Sequence, residues 1–95
     1  MLNKNYRVHA GSVMKSVLMS LGKTQTWLAK ELNMDRTVIN KILNGKRRVT
    51  KNTAILFEKA TGYSAKKLLN VQTEYDLFYN NNKKDEVIRW AYIMN

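Results

Sequence analysis

The chain has 95 residues, with seventeen Lys and Arg against seven Asp and Glu, a formal charge of +10, no cysteine and no proline. That length admits one domain with a small core, and the absence of cysteine leaves stability to helix packing, aided or not by a second subunit. His9 is the single histidine, so neither a metal cluster nor a histidine-activated nucleophile can be assembled from one chain; an enzyme, a metal and a cofactor are not expected.

The N-terminal MLNKNYRVHAG lacks the apolar stretch of a signal peptide, and no run approaches the roughly 18 apolar residues that a membrane span requires. A cytoplasmic protein that makes no membrane contact is expected. Residues 1–62 hold twelve cations and three anions, whereas residues 63–95 hold five and four. The first part is suited to a polyanion, and charge by itself leaves nucleic acid, a membrane surface and an acidic protein open.

The four glycines, Gly11, Gly22, Gly45 and Gly62, fall between apolar-periodic segments, and each reads as a helix boundary. The first predicted helix spans Ser12 to Leu21, with a Ser12 N-cap and Val13, Met14, Val17, Leu18 and Leu21 on one face. The second starts at a Thr24 N-cap and turns Leu28, Ala29 and Leu32 inward as far as Leu32; Asn33 then takes a left-handed corner. The third opens at an Asp35 N-cap, buries Val38, Ile39, Ile42 and Leu43, and is stopped by Gly45. The fourth runs from Thr50 to about Thr61 over Ala54, Ile55, Phe57 and Ala60. The fifth opens at Ser64 and carries Leu68, Leu69, Tyr75, Phe78 and Tyr79. Asn80, Asn81 and Asn82 then form a polar hinge before KKDEVIRWAYIMN, a tail that reads equally as a short helix or a strand. The division expected is a domain over residues 1–79 and a tail over residues 80–95.

Only Asn33 and Met34 separate the second and third helices, a spacing that suits a helix-turn-helix. Small Ala29 lets the helices approach, and Ile39 and Ile42 pack on Leu28 and Leu32. The other face of the third helix then shows Arg36, Thr37, Asn40 and Lys41, which all form hydrogen bonds and include no acid. Arg36 can donate a fork to guanine, Asn40 can pair with adenine and Thr37 can meet a thymine methyl, each good pair discriminating by about 1–3 kcal/mol; Lys41 can reach a base or the backbone. Asn44, Lys46, Arg47 and Arg48 follow as phosphate contacts that fix register, joined by Thr24 and Gln25 at the amino end of the second helix. In isolation such a stripe reads as a solvated face; beside a turn and a cation cluster it reads as a surface for double-stranded DNA.

These segments resemble the Cro/C1-type (XRE) helix-turn-helix family and, within it, the HigA-type antitoxins. The resemblance covers residues 9–79 and rests on HAG, on TQTWLAKELNMDRTVINKILNGKRRVT, on residues 54–62 and on LLNVQTEYDL. It implies an all-α, five-helix, lambda-repressor-like domain in a homodimer, binding operator DNA, repressing its own operon and neutralising a RelE-like mRNA endonuclease toxin. The chain departs from the family pattern in writing His9-Ala10-Gly11 for His-Pro-Gly, Asn33 for Gly, and Trp27 where an acid is common. Trp27 either packs at the core edge or meets a partner. RelE-like toxins are basic, so the acidic Glu74, Asp76, Asp85 and Glu86, near the aromatic Tyr79, Trp90 and Tyr92, are candidates for docking the toxin or the second subunit; core packing and a frayed end is the competing reading. A stand-alone phage-like or chromosomal repressor would look the same up to Gly62. An RNA-binding module fits less well, because no paired strand aromatics are present.

Overall fold

The computed structural model describes residues 8–79. Among them are five helices and no strand: α1 (Ala10–Leu21), α2 (Gln25–Leu32), α3 (Arg36–Leu43), α4 (Lys51–Thr61) and α5 (Ala65–Tyr79). The five-helix, all-α expectation is met. The tail lies outside the described residues.

Local chemistry sets most of the helix ends. Thr24 Oγ1 accepts from the Trp27 amide at 3.0 Å, Asp35 Oδ1 from Thr37 at 3.1 Å, Thr50 Oγ1 from Thr53 at 3.2 Å and Ser64 Oγ from Lys67 at 3.1 Å. Caps of this kind each contribute about 1 kcal/mol. At the other end, α2 closes on Asn33 at φ 53°, with Met34 N–H donating to Ala29 O at 2.9 Å. Gly45, at φ 77°, ends α3 in the same way, with Lys46 N–H on Lys41 O at 2.8 Å.

The start of α1 departs from expectation. The helix begins at Ala10, and its cap is His9, whose Nδ1 accepts from the Ser12 amide at 3.2 Å. Ser12 is thus the residue being capped. Gly11, expected at a boundary, is buried inside α1, and a Cβ there would lie 1.9 Å from the carbonyl oxygen of Ile42. Its function is close approach, since only a bare Cα lets α1 rest on the backbone at the end of α3.

Around this contact the molecule assembles. α2 and α3 pack as a pair, α1 covers α3, α4 and α5, and α4 bridges α2 and α5. Met14, Leu28, Ile39, Val49, Phe57 and Leu68 are the largest fully buried side chains, each stabilising by about 1.5–3 kcal/mol on burial. Some apolar residues expected inside are exposed: Leu21 (46%), Ile55 (39%), Phe78 (38%) and Tyr79 (48%). In α4 the inward stripe is narrower than hydropathy suggests. Thr53, buried beside Ala54 and Phe57, takes the place given to Ile55, and its Oγ1 accepts from the Thr50 hydroxyl at 3.0 Å.

Candidate nucleic-acid interface

Packing fixes which side of α3 faces outward. Ile39, Ile42 and Leu43 are buried and Val38 is half-buried against the core, so Arg36, Thr37, Asn40 and Lys41 stand exposed on the other face. Gln25, in the first turn of α2, reaches the same surface, where its Oε1 accepts from Asn40 Nδ2 at 3.4 Å. Gln25, Arg36, Thr37 and Asn40 line an open cleft. It brings together a guanidinium fork, two amides and a hydroxyl, the groups that read base edges.

A row of hydrogen bonds continues across the end of α3. Asn44 Nδ2 donates to the backbone oxygen of Asn40 at 3.0 Å, and Asn44 Oδ1 accepts from Lys15 Nζ of α1 at 3.1 Å. Lys15 was not among the sequence-predicted site residues. Its signal is faint: a lone cation in α1 is indistinguishable from any solvated lysine until the α1–α3 packing is known. Thr24 keeps its hydroxyl on the Trp27 amide, and Lys46 and Arg47 are exposed on the loop after α3.

Arg48 differs from its two neighbours. Its guanidinium meets Asp76 Oδ2 of α5 at 2.6 Å, while Gln72 Nε2 holds the other carboxylate oxygen at 2.9 Å. Gln72 is buried, and its Oε1 accepts the backbone N–H of buried Val49 at 2.9 Å. The loop is therefore stitched to α5 by two adjacent residues, one through its main chain and one through its side chain. Sequence reasoning missed Gln72, yet a signal exists: Ala65, Leu68 and Gln72 share one helical stripe, so an amide at the third position is inward and needs partners.

This geometry accounts for several motif residues at once. The His9 ring packs edge-on to Tyr75, with centroids 5.8 Å apart, and leaves no room for a Cβ at Gly45, which would come 2.7 Å from Cδ2. Burial, then the charge of Lys15, holds the His9 pKa below its ordinary 6.5. A neutral imidazole is what the cap requires, because Nδ1 must carry a lone pair to accept from Ser12.

Trp27 is half-buried against the core, and Lys23 Nζ lies 5.1 Å from its ring centroid. This places it at the core edge. Of the docking candidates, Asp76 is engaged within the chain; Glu74 and Tyr79 are exposed, Tyr79 packing on Tyr75 and Phe78 with centroids 4.6 and 4.7 Å apart. Asp85, Glu86, Trp90 and Tyr92 lie outside the described residues. Among the described residues, no cluster of acidic, histidine or cysteine side chains could hold a metal, and no helix is long and apolar enough to cross a membrane.

A compact helix pair that presents a basic, amide-bearing face defines a helix-turn-helix protein. Residues 14–68 match the helix-turn-helix family, and the chain belongs to it. Its members are DNA-binding regulators without enzymatic activity. The chain is 30% identical to virulence-associated protein I of Dichelobacter nodosus over 90% of this chain and 80% of that protein. It is 28% identical to an addiction module antidote protein of the HigA family from Coxiella burnetii, with a TM-score of 0.74 over 88% of this chain and 94% of the other. The antitoxin HigA of Pseudomonas aeruginosa, solved with the higBA promoter, shares the fold with a TM-score of 0.78 at 24% identity, over 87% and 91% of the two chains.

Proposed function

We propose that this protein is a sequence-specific DNA-binding antitoxin of a type II toxin–antitoxin system, acting in the cytoplasm as a homodimer. It represses its own operon and neutralises a RelE-like, HigB-type mRNA endonuclease by binding it. The observation that carries the DNA half is the outward face of α3, where Arg36, Thr37, Asn40 and Lys41 are exposed above a buried aliphatic stripe. In this reading Arg36 and Asn40 read bases, with Thr37 and Lys41 beside them. Thr24, Gln25, Asn44, Lys46 and Arg47 hold phosphates. The antitoxin half is supported by the similarity to the Coxiella antidote protein. Exposed Glu74 and Tyr79 near the end of α5 are the described residues assigned to the toxin or to the second subunit.

Two measurements test this. Binding to the promoter duplex upstream of the gene should be sequence-specific and salt-dependent, with half-sites about 34 Å apart or a multiple of that. A small basic protein encoded beside the gene should arrest growth when expressed alone, and this chain should restore it. Specific DNA binding without such a toxin would leave a stand-alone repressor; loss of both would end the proposal.

A further inference from the structure

The cations around α3 differ in what holds them. Lys15, outside the helix-turn-helix pair, is exposed and donates one bond, to Asn44 Oδ1 at 3.1 Å. An ammonium has three donors, so two remain for another acceptor. Asn44 is in turn bonded to the main-chain oxygen of Asn40, and the Asn40 side chain to Gln25, so Lys15 stands at the far end of a polar row that begins at the base-reading cleft. Arg48 lies in the cationic loop itself, but its charge is met by Asp76 at 2.6 Å, and Asp76 is fixed by buried Gln72. A phosphate approaching Arg48 would also approach that carboxylate. The pair carries no net charge, and a neutral pair releases no counterion.

We infer that Lys15 of α1 is a phosphate-binding residue of the DNA interface, and that the Arg48–Asp76 pair is electrostatically silent there. The inference rests on the DNA-binding reading above. The interface then spans α1, the amino end of α2, α3 and the following loop, while α5 takes one cation out of use.

The test is the slope of log affinity against log salt for the full chain on its promoter duplex, with Lys46→Ala and Arg36→Ala as references. Lys15→Gln keeps an N–H for Asn44 and removes only the charge; it should flatten the slope by about one unit per protomer bound, as Lys46→Ala does, and Lys15→Arg should restore it. The charge-neutral double variant Arg48→Gln/Asp76→Asn should keep the parental slope. Asp76→Asn alone should steepen it by about one unit, because it frees a cation. An unchanged slope in Lys15→Gln, even with weaker binding, would make Lys15 a positioning residue for Asn44 and overturn its assignment. A flattened slope in the double variant would return Arg48 to the phosphates. If Lys46→Ala and Arg36→Ala are themselves without effect, the DNA-binding reading has failed, a result distinct from failure of Lys15 alone.

Discussion

Asn40 and Gln72 are both side-chain amides on helices of the same small domain, and they are used in opposite ways. Asn40 stands exposed on α3, loosely met by Gln25 at 3.4 Å, so its groups remain available to a ligand. Gln72 is 4% exposed, and both ends of its amide are engaged, one by Val49 and one by Asp76. The first region keeps unspent hydrogen-bonding capacity in water, where leaving it free costs little. The second consumes its capacity inside, where an unmet group costs about 1–3 kcal/mol. The proposed binding surface and the buried contacts that position it can thus be told apart by how fully their polar atoms are engaged.

The largest expected effect lies on the inner side. Gly11→Ala places a methyl 1.9 Å from Ile42 O, against backbone that cannot rotate away, and should destabilise by about 3 kcal/mol or more in urea unfolding. Wild-type stability in that variant would mean that α1 does not rest on α3 as described. Gln72→Leu strips the buried Val49 N–H of its acceptor and should cost about 1–3 kcal/mol. It should also weaken binding to every DNA sequence alike, because the loop loses its anchor.

On the outer side the order reverses, with function falling while stability holds. Arg36→Ala should lose about 1–3 kcal/mol of discrimination between operator and mutated operator, with a melting temperature close to that of the parent. Equal losses on matched and mismatched duplexes would remove Arg36 from base reading.

The smallest effect belongs to His9. Its pKa is lowered in the fold by burial and by Lys15, so the unfolded chain binds more protons between 6.5 and the lower folded value. The contribution of the cap is therefore fully present above about 6.5 and is lost as pH falls below it. A thermal melt of His9→Gln should show a weaker dependence over that window. An unchanged pH profile would mean that the ring does not titrate against folding.

The parts of the fold that were legible were those fixed by neighbours in the chain. Thr24, Asp35, Thr50 and Ser64 are caps because their oxygens reach amides two or three residues ahead, and Asn33 turns because its own backbone tolerates a left-handed conformation. The exposure of Arg36, Thr37, Asn40 and Lys41 followed from the 3.6-residue period alone. Ser12 reads as a cap in the sequence because histidine is not among the usual caps, whereas the ring that does cap α1 is held from a distance by Tyr75 and Gly45. Ile55 and Leu21 read as inward and stand exposed, because hydropathy gives a residue's character without telling whether a neighbour covers it.

By itself, then, the sequence determined five helices, their corners and the cationic outward face of α3, since each depends on contacts spanning a few residues or on a helical period. Tertiary structure alone decided that Gly11 is a contact, that Lys15 reaches the end of α3, and that Arg48 answers to Asp76. Those pairings join residues some thirty positions apart. Their partners are chosen by how helices pack, and no local pattern in the chain records that choice.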